Sequence, residues 1–381
     1  MKIGIVSTFR DMCGIAKYTE NLVNELSKLI ELKVFAEILE PPQIETEQIN
    51  PNIKVDFERC WRRYQDFEGL EKKIMEYSPD IIHVQFVAGL FNELSFNPDS
   101  PFQRFITNLR QKGIKIVITL HDAPGDFPNP IQLLHWYKNL NAKFIGINNE
   151  MVAGLKRWYS DADATVIPIG SIRFMPYDKI EARKILKLNE NDFILTQIGF
   201  YGMDKGMLEI INAVPKISIP NFRLIFAGGF HPLASPIYRP YVQDCIKTVI
   251  RLGLVNKVNF VGRLLTEDEI NLWASATDFI IVNLKSIFGY SGSASIKRTL
   301  MSGKPVLIGD DSRLSEFKDG VNCIKISQDN IAEKVMWLHN NKEIQKTIIE
   351  GALQYAKETT FDIVAKKHLE VYKEELTGGK S

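Results

Sequence analysis

Short apolar runs recur along this chain, each bounded by polar residues and followed by a segment with apolar positions three and four apart. Residues 3–7, 32–36, 81–85, 114–120 and 144–147 are such runs, and 165–168 closes the set. Runs of this length, without strict alternation, suit strands buried on both faces; the 3.6-residue spacing between them marks amphipathic helices. In residues 16–29, Tyr18, Leu22, Leu26 and Leu29 fall on one helical stripe. The pattern restarts at 193–199. A helix over 207–214 stops at Pro215, a strand covers 222–227, and a helix over 241–252 has Pro240 at its start. Strands at 257–261 and 278–282 flank a helix at 267–274. Residues 288–309 read as a Gly/Ser turn at 290–293, a helix through Ile296 and Leu300 ending at Gly303, and a strand at 305–308. The stretch 331–375 reads as helical with one polar face and no strand after it, so it is expected to pack back across both domains.

Strands alternating with helices imply parallel sheets in an α/β fold. The clean restart places two doubly wound, Rossmann-like domains facing a cleft. An N-terminal domain spans 1–172 and a C-terminal domain 173–361, with a C-terminal helix over 362–381 rejoining the first. At 381 residues, two domains are also what length alone suggests. In open α/β sheets ligands gather at the carboxyl ends of the strands, so the cleft is the expected site.

Composition narrows the function classes. The chain is 45% hydrophobic and 24% charged with a formal net charge of +1, which argues against a dedicated nucleic-acid partner. No apolar run reaches the roughly 18–20 residues that span a bilayer, and Met1-Lys2 leads directly into a strand; a cytoplasmic location is expected, with peripheral membrane contact left open. Cys13, Cys60, Cys245 and Cys323 are scattered without a CxxC, which counts against metal and redox roles; Cys245 and Cys323 read as small buried hydrophobes.

The strand ends carry the candidate chemistry. The 290–294 stretch, Tyr290-Ser291-Gly292-Ser293-Ala294, opens a helix with small residues, an arrangement that aims backbone N–H groups and the positive helix end at an anion such as phosphate. Gly14 precedes a long helix where backbone can approach a phosphate or sugar; a plain helix turn is the other reading. The loop before it, Ser7 to Ile15, lacks GxGxxG. His121, after the run 114–120, suits a sugar hydroxyl or a proton relay, or else is a satisfied structural histidine. Lys205, in Gly202-Met203-Asp204-Lys205-Gly206, is placed to neutralise a diphosphate, or is a solvated turn lysine. Gly228 and Gly229 indicate close backbone approach to a ligand or loop, and His231 follows them. Arg263 is a phosphate clamp or a surface arginine. Glu267-Asp268-Glu269 reads as an acidic first helical turn. The aromatic residues of 57–67, with Arg62 and Arg63, read as packing, with lipid or glycan contact as the alternative.

Taken in order, these residues resemble the retaining glycosyltransferases of the group 1 (family 4) class, which have the GT-B fold. The resemblance covers nearly the whole chain. It rests on Cys13-Gly14-Ile15-Ala16, Ile82-His83-Val84-Gln85, His121-Asp122, Ile167-Pro168, Lys205-Gly206, 258–262 (VNFVG), Gly303-Lys304-Pro305-Val306 and Glu316. It implies sugar transfer from a nucleoside diphosphate sugar to a glycan, lipid-linked or small-molecule acceptor, with that donor as co-substrate, no other cofactor and no metal. His121 and Lys205 are then the catalytic candidates. Gly14, Lys205, Arg263 and 291–294 would meet the donor diphosphate; Gly229, His231, Tyr290 and Arg298 would meet its nucleoside or sugar. Acceptor choice falls to N-terminal loops such as 41–67 and 123–133. The chain departs from the family where two glutamates are common, with Tyr290 and Arg298 in their places, and where an arginine precedes the lysine, with Phe200 there. Two alternatives share the fold: a nucleotide-sugar epimerase, and a catalytically silent sugar-nucleotide-binding protein. The missing GxGxxG disfavours a dehydrogenase.

Overall fold

A computed structural model describes residues 1–11, 13–41, 53–63, 67–123, 128–231, 235–284, 290–291, 294–311 and 314–378. In chain order the first elements are β1 (Lys2–Ser7), α1 (Gly14–Leu26), β2 (Glu31–Glu37), β3 (Asp56–Trp61), α2 (Glu68–Tyr77), β4 (Ile81–Phe86), α3 (Pro101–Gln111), β5 (Lys115–Leu120), β6 (Asp122–Ala123), α4 (Pro130–Leu140), β7 (Lys143–Gly146), α5 (Asn149–Trp158) and β8 (Ala164–Val166). They are followed by α6 (Lys179–Ile185), β9 (Phe193–Ile198), α7 (Met207–Ala213), β10 (Phe222–Ala227), α8 (Ser235–Arg251), β11 (Val258–Phe260), α9 (Glu267–Ala276) and β12 (Phe279–Val282). The last elements are β13 (Tyr290–Ser291), α10 (Ala294–Leu300), β14 (Val306–Gly309), β15 (Ile324–Ile326), α11 (Ile331–Asn340), α12 (Lys342–Glu358) and α13 (Phe361–Thr377).

The chain divides into two units. The first comprises Met1–Gly170, Phe288–Gly292 and Phe361–Ser381; the second comprises Ser171–Ile287 and Ser293–Thr360. The first unit holds a seven-stranded sheet in the order β3-β2-β1-β4-β5-β7-β8, and the second a six-stranded sheet in the order β11-β10-β9-β12-β14-β15. Neighbours in both sheets run parallel. Both are therefore α/β units of the kind the alternation predicts.

Burial follows from period-two geometry. All six residues of β4 are buried, so the strand is covered on both faces. In the second unit, alternate strand positions sort into two cores. Leu195, Leu224, Phe226, Phe279, Ile281 and Leu307 lie in one. Ile194, Ile225, Ile280, Val282, Val306 and Ile308 lie in the other. This is the side-chain alternation of a central sheet with a core on each face.

Several boundaries differ from the sequence expectation. The helix expected over 16–29 ends at Leu26, and Leu29 is 45% exposed beyond it. Helix α8 starts at Ser235, so Pro240 sits inside it rather than at its start; a proline so near the N-terminus removes few helical bonds. The helical stretch 331–375 is three helices, broken at Asn341 and at Thr359-Thr360. Tyr290 and Ser291, expected as a turn, form β13, which pairs antiparallel with β6 (Tyr290 opposite Ala123, Ser291 opposite Asp122). The remaining turn residues, Gly292 and Ser293, lie outside the described residues.

Trp61 stacks on Phe91 at 5.3 Å, and Phe67 meets Phe91, Phe102 and Phe105, so these two aromatic residues of 57–67 are packed. Arg62 pairs with Glu40 and Arg63 with Glu37. Cys245 and Cys323 are buried free thiols. Among the described residues, no helix is long and apolar enough to cross a membrane. None of their His, Cys, Asp and Glu side chains form a group of three that could hold a metal.

Candidate functional site

In the first unit, the candidates gather where β1, β4 and β5 end. After β1 the chain runs through buried Thr8, Phe9 and Asp11 to Cys13, the N-cap of α1. The Cys13 thiol lies 3.1 Å from Thr8 Oγ1 and accepts from the Ala16 amide at 3.3 Å. Burial, and then the neighbouring Asp11, push this thiol to about 11, so it caps as a neutral group. Gly14 follows, exposed, with no atom within 4 Å of where a Cβ would stand. Tyr18, one turn further along α1, packs edge-on against His121 at 4.8 Å.

His121 directly follows β5, and its amide donates to Phe86 O at 3.0 Å. It is buried, and its Nε2 lies 2.8 Å from Gln85 Oε1. Burial, then His368, hold its pKa down at about 3, so the ring is neutral at pH 7. That state favours hydrogen bonding to a hydroxyl over proton relay. Gln85 Nε2 lies 3.2 Å from His83 Nε2, which also meets Thr119 Oγ1 at 2.7 Å; His83 Nδ1 meets Tyr372 Oη at 2.6 Å. His368, beside Tyr372 on α13, donates from Nδ1 to Val364 O at 2.8 Å, and its Nε2 meets Tyr18 Oη at 3.3 Å. The cause is register. His83 and Gln85 lie on one face of β4, and Gln85 is paired with Thr119 of β5, so polar groups line up within an otherwise apolar sheet under α13. Apart from Thr119 and Gln85, these partners come from distant segments. The signal available in the sequence was polar residues at alternate positions inside an apolar run, His83 and Gln85.

Asp122, next to His121, accepts from the Ala88 amide at 3.0 Å, and burial raises its carboxyl to about 6. Because β13 pairs with β6, the backbone of Tyr290 and Ser291 lies alongside this same segment.

In the second unit, the glycines at the strand ends serve backbone packing. A Cβ at Gly228 would lie 1.8 Å from Gly199 O, and one at Gly229 would lie 2.6 Å from the Arg263 carbonyl carbon. The close approach expected at these glycines is therefore to neighbouring loops. Tyr201 Oη fastens the same corner, donating to Phe226 O at 2.7 Å and accepting from the Gly262 amide at 3.0 Å. His231 meets Phe200 edge-on at 5.1 Å. The structure thus brings Gly229, His231 and Arg263 together by way of Phe200, Tyr201 and Gly262.

Lys205 ends a single 3-10 turn, Met203–Lys205, and Gly206 follows with φ 57°. A Cβ at Gly206 would meet Asn283 Nδ2 at 2.3 Å, so both the backbone angle and the space select glycine. Helix α7 begins only after Gly206, and the Leu208 amide in its first turn donates to Tyr241 Oη at 3.0 Å. Lys205 Nζ pairs with Asp204 at 2.6 Å and is partly exposed.

The two arginines are held by helix α9. Arg263 forms a two-point pair with Glu269, the same glutamate that completes a capping box with Thr266. Hydrogen bonds from Arg263 and the Thr266 amide hold the Glu269 carboxyl down at about 2. Arg298, on α10, pairs with Glu267 at 2.8 Å. Arg263, expected at the donor diphosphate, and Arg298, expected at its nucleoside or sugar, both meet the acidic first turn of α9, because helix starts attract carboxylates and carboxylates attract arginine. Lys297, beside Arg298, points inward. It is 1% exposed, bonded to Tyr355 Oη and 3.8 Å from Glu316, and burial lowers its pKa to about 8. Ala294 opens α10, whose seven residues end before Gly303 at φ 66°.

Two parallel α/β units of this topology define the GT-B fold. The chain is similar over its length to a glycosyltransferase from Rickettsia africae ESF-5, with 16% identity, 98% of each chain covered and a TM-score of 0.78. It is similar to sucrose-phosphate synthase from Thermosynechococcus elongatus at 17% identity, 99% and 100% coverage and a TM-score of 0.78. It is also similar to Anabaena HepE, solved in complex with UDP-glucose, at 17% identity, 98% and 100% coverage and a TM-score of 0.75. No curated protein matches it by sequence. The family model of the group 1 glycosyl transferases matches residues 178–355, nearly all of the second unit.

Proposed function

We propose that the protein is a retaining, metal-independent glycosyltransferase that moves a sugar from a nucleoside diphosphate sugar to a glycan, lipid-linked or small-molecule acceptor. The observation that carries this reading is the group 1 family match over residues 178–355, which contain Lys205 on the glycine-bounded turn after β9. Residues 173–361 would bind the donor, and residues 1–172 with the helix 362–381 would face the acceptor. Lys205 Nζ, together with the backbone of 291–294 and Gly14, would offset charge on the departing diphosphate, and a fixed cation acts there without reorganising as charge develops. The neutral His121 would bond a hydroxyl of the transferred sugar. Gly229 and His231 would face the nucleoside. UDP-glucose is the first donor to try, because HepE, similar in fold, is solved in complex with it. A cytoplasmic protein, with or without peripheral membrane contact, fits this role.

A thermal-shift panel of UDP, GDP, ADP and their sugars tests donor binding. A ligand at a hundred times its dissociation constant adds about 2.7 kcal/mol of stability. Turnover with the stabilising donor, followed by NMR of the product anomer, then tests transfer and retention. A second reading, a silent sugar-nucleotide-binding protein, is favoured by Arg298: it is committed to Glu267 at a position where the family commonly carries a glutamate. Stabilisation by a donor with neither transfer nor hydrolysis would select that reading.

A further inference from the structure

The buried polar chain in the first unit fixes which nitrogen of His121 carries the proton. An amide oxygen only accepts and an amide nitrogen only donates. Gln85 Oε1, at 2.8 Å, therefore requires a proton on His121 Nε2. Gln85 Nε2, at 3.2 Å, requires a bare Nε2 on His83, which the Thr119 hydroxyl at 2.7 Å can also reach as a donor. His83 then carries its proton on Nδ1 and donates to Tyr372 Oη at 2.6 Å. All four side chains beyond His121 are fully buried or nearly so, which leaves few other partners for the amide. His121 Nδ1 has no hydrogen-bond partner among the described residues.

We infer that Gln85 is a positioning residue: by accepting the Nε2 proton of His121 it leaves Nδ1 as a bare acceptor, suited to a sugar hydroxyl and unsuited to a phosphate oxygen. The inference deepens the proposed function, on whose placement of His121 near the transferred sugar it rests. It divides the labour among the candidates. A phosphate oxygen carries no proton to donate at neutral pH, so His121 serves the sugar, and the diphosphate is left to Lys205 and backbone amides. Tyr372 makes the C-terminal helix α13 part of this arrangement, because the His83 tautomer that orients the Gln85 amide is held by its hydroxyl.

The experiment is nitrogen NMR of the full chain labelled with ¹⁵N-histidine, without ligand, near neutral pH. The expected spectrum shows His121, identified by its loss in His121→Gln, with a protonated Nε2 and an unprotonated Nδ1. The opposite tautomer means the Gln85 amide is reversed and overturns the inference. In Gln85→Met, which keeps the volume and removes both amide bonds, His121 should populate both tautomers and kcat/KM for the donor should fall about tenfold, the effect of one lost hydrogen bond. Gln85→Glu, whose carboxylate oxygens can accept the same proton, should restore the Nε2-protonated form. Should Gln85→Met fail to fold, the wild-type tautomer and Gln85→Leu, which also lacks an acceptor, decide: a His121 held wholly in the Nε2-protonated form after loss of the amide overturns the role. Failure of every sugar nucleotide to bind, with the tautomer as expected, counts against the proposed function and not against the positioning.

Discussion

His368 sits on α13 in the first unit, fully buried, with Nδ1 donating to Val364 O and Nε2 facing Tyr18. Burial lowers its pKa from 6.5 to about 4. A histidine with a lowered native pKa costs stability on acidification, because the unfolded chain takes up the proton first. The loss begins as pH falls through about 6.5 and levels off below about 4, where the native ring also protonates. Between about pH 7 and about pH 4.5 the linkage amounts to roughly 2–2.5 kcal/mol for this one side chain. His83 and His121 contribute in the same direction, while the raised Asp122 carboxyl contributes in the opposite one, so absolute stability mixes several groups. A difference isolates the one ring. His368→Asn retains a side-chain N–H and does not titrate. Its stability at neutral pH should be lower than that of the wild type, through the lost ring packing, and the gap should narrow by roughly 2 kcal/mol by about pH 4.5. Urea unfolding of both proteins across that range, followed by circular dichroism, reads the gap. A gap that stays constant with pH would refute the claim that His368 is held neutral by burial.

Lys205→Ala should lower turnover by about thirtyfold to a thousandfold, the range for one charge-assisted contact made in the transition state, with little effect on the melting temperature; unchanged turnover would remove Lys205 from the site. Arg263→Ala should change the donor KM by less than about threefold and stability by no more than about 1 kcal/mol, because its partner is Glu269 and it is 58% exposed; a large rise in KM would return it to the diphosphate. Gly228→Ala should cost at least about 3 kcal/mol in urea unfolding or prevent accumulation of folded protein, since a Cβ would stand 1.8 Å from Gly199 O. Gly170→Ala should cost about 1–3 kcal/mol, because the Phe361 ring 2.6 Å away can shift.

The central strands were legible because strands covered on both faces are mostly apolar, as β4, β5, β9 and β10 are. Strand β3 was missed: Asp56–Trp61 lies at the sheet edge, half-buried, and carries as many polar as apolar residues. Strand β15 is three residues long with a lysine at its centre. The pairing of β6 with β13 joins residues far apart in the chain, and two-residue strands leave no periodicity to read. At the site, residue types and strand ends were readable, as with Lys205 and His121. Which partner each charge takes was not. Arg298 and Glu267 are thirty-one positions apart, and only the packing of α9 near α10 joins them. The glycines were recognised as points of close approach, but only coordinates show that the approaching group at Gly228 is Gly199.

The first unit is completed by a helix made after the whole of the second. Tyr372, His368 and Val364 of α13 are buried in that unit, and Tyr372 bonds His83 on its central strand β4. During synthesis, residues 1–170 therefore leave the ribosome with His83 and Tyr18 lacking their α13 partners, and they wait through the next 190 residues, Ser171–Thr360, before α13 arrives. The second unit holds Ser171–Ile287 and Ser293–Thr360 and has its own cores, so it can settle first although its first residue follows Gly170. The order in which the units are completed thus runs against the order of translation, and a chain cut short at Thr360 would leave incomplete the unit made first, not the one made last.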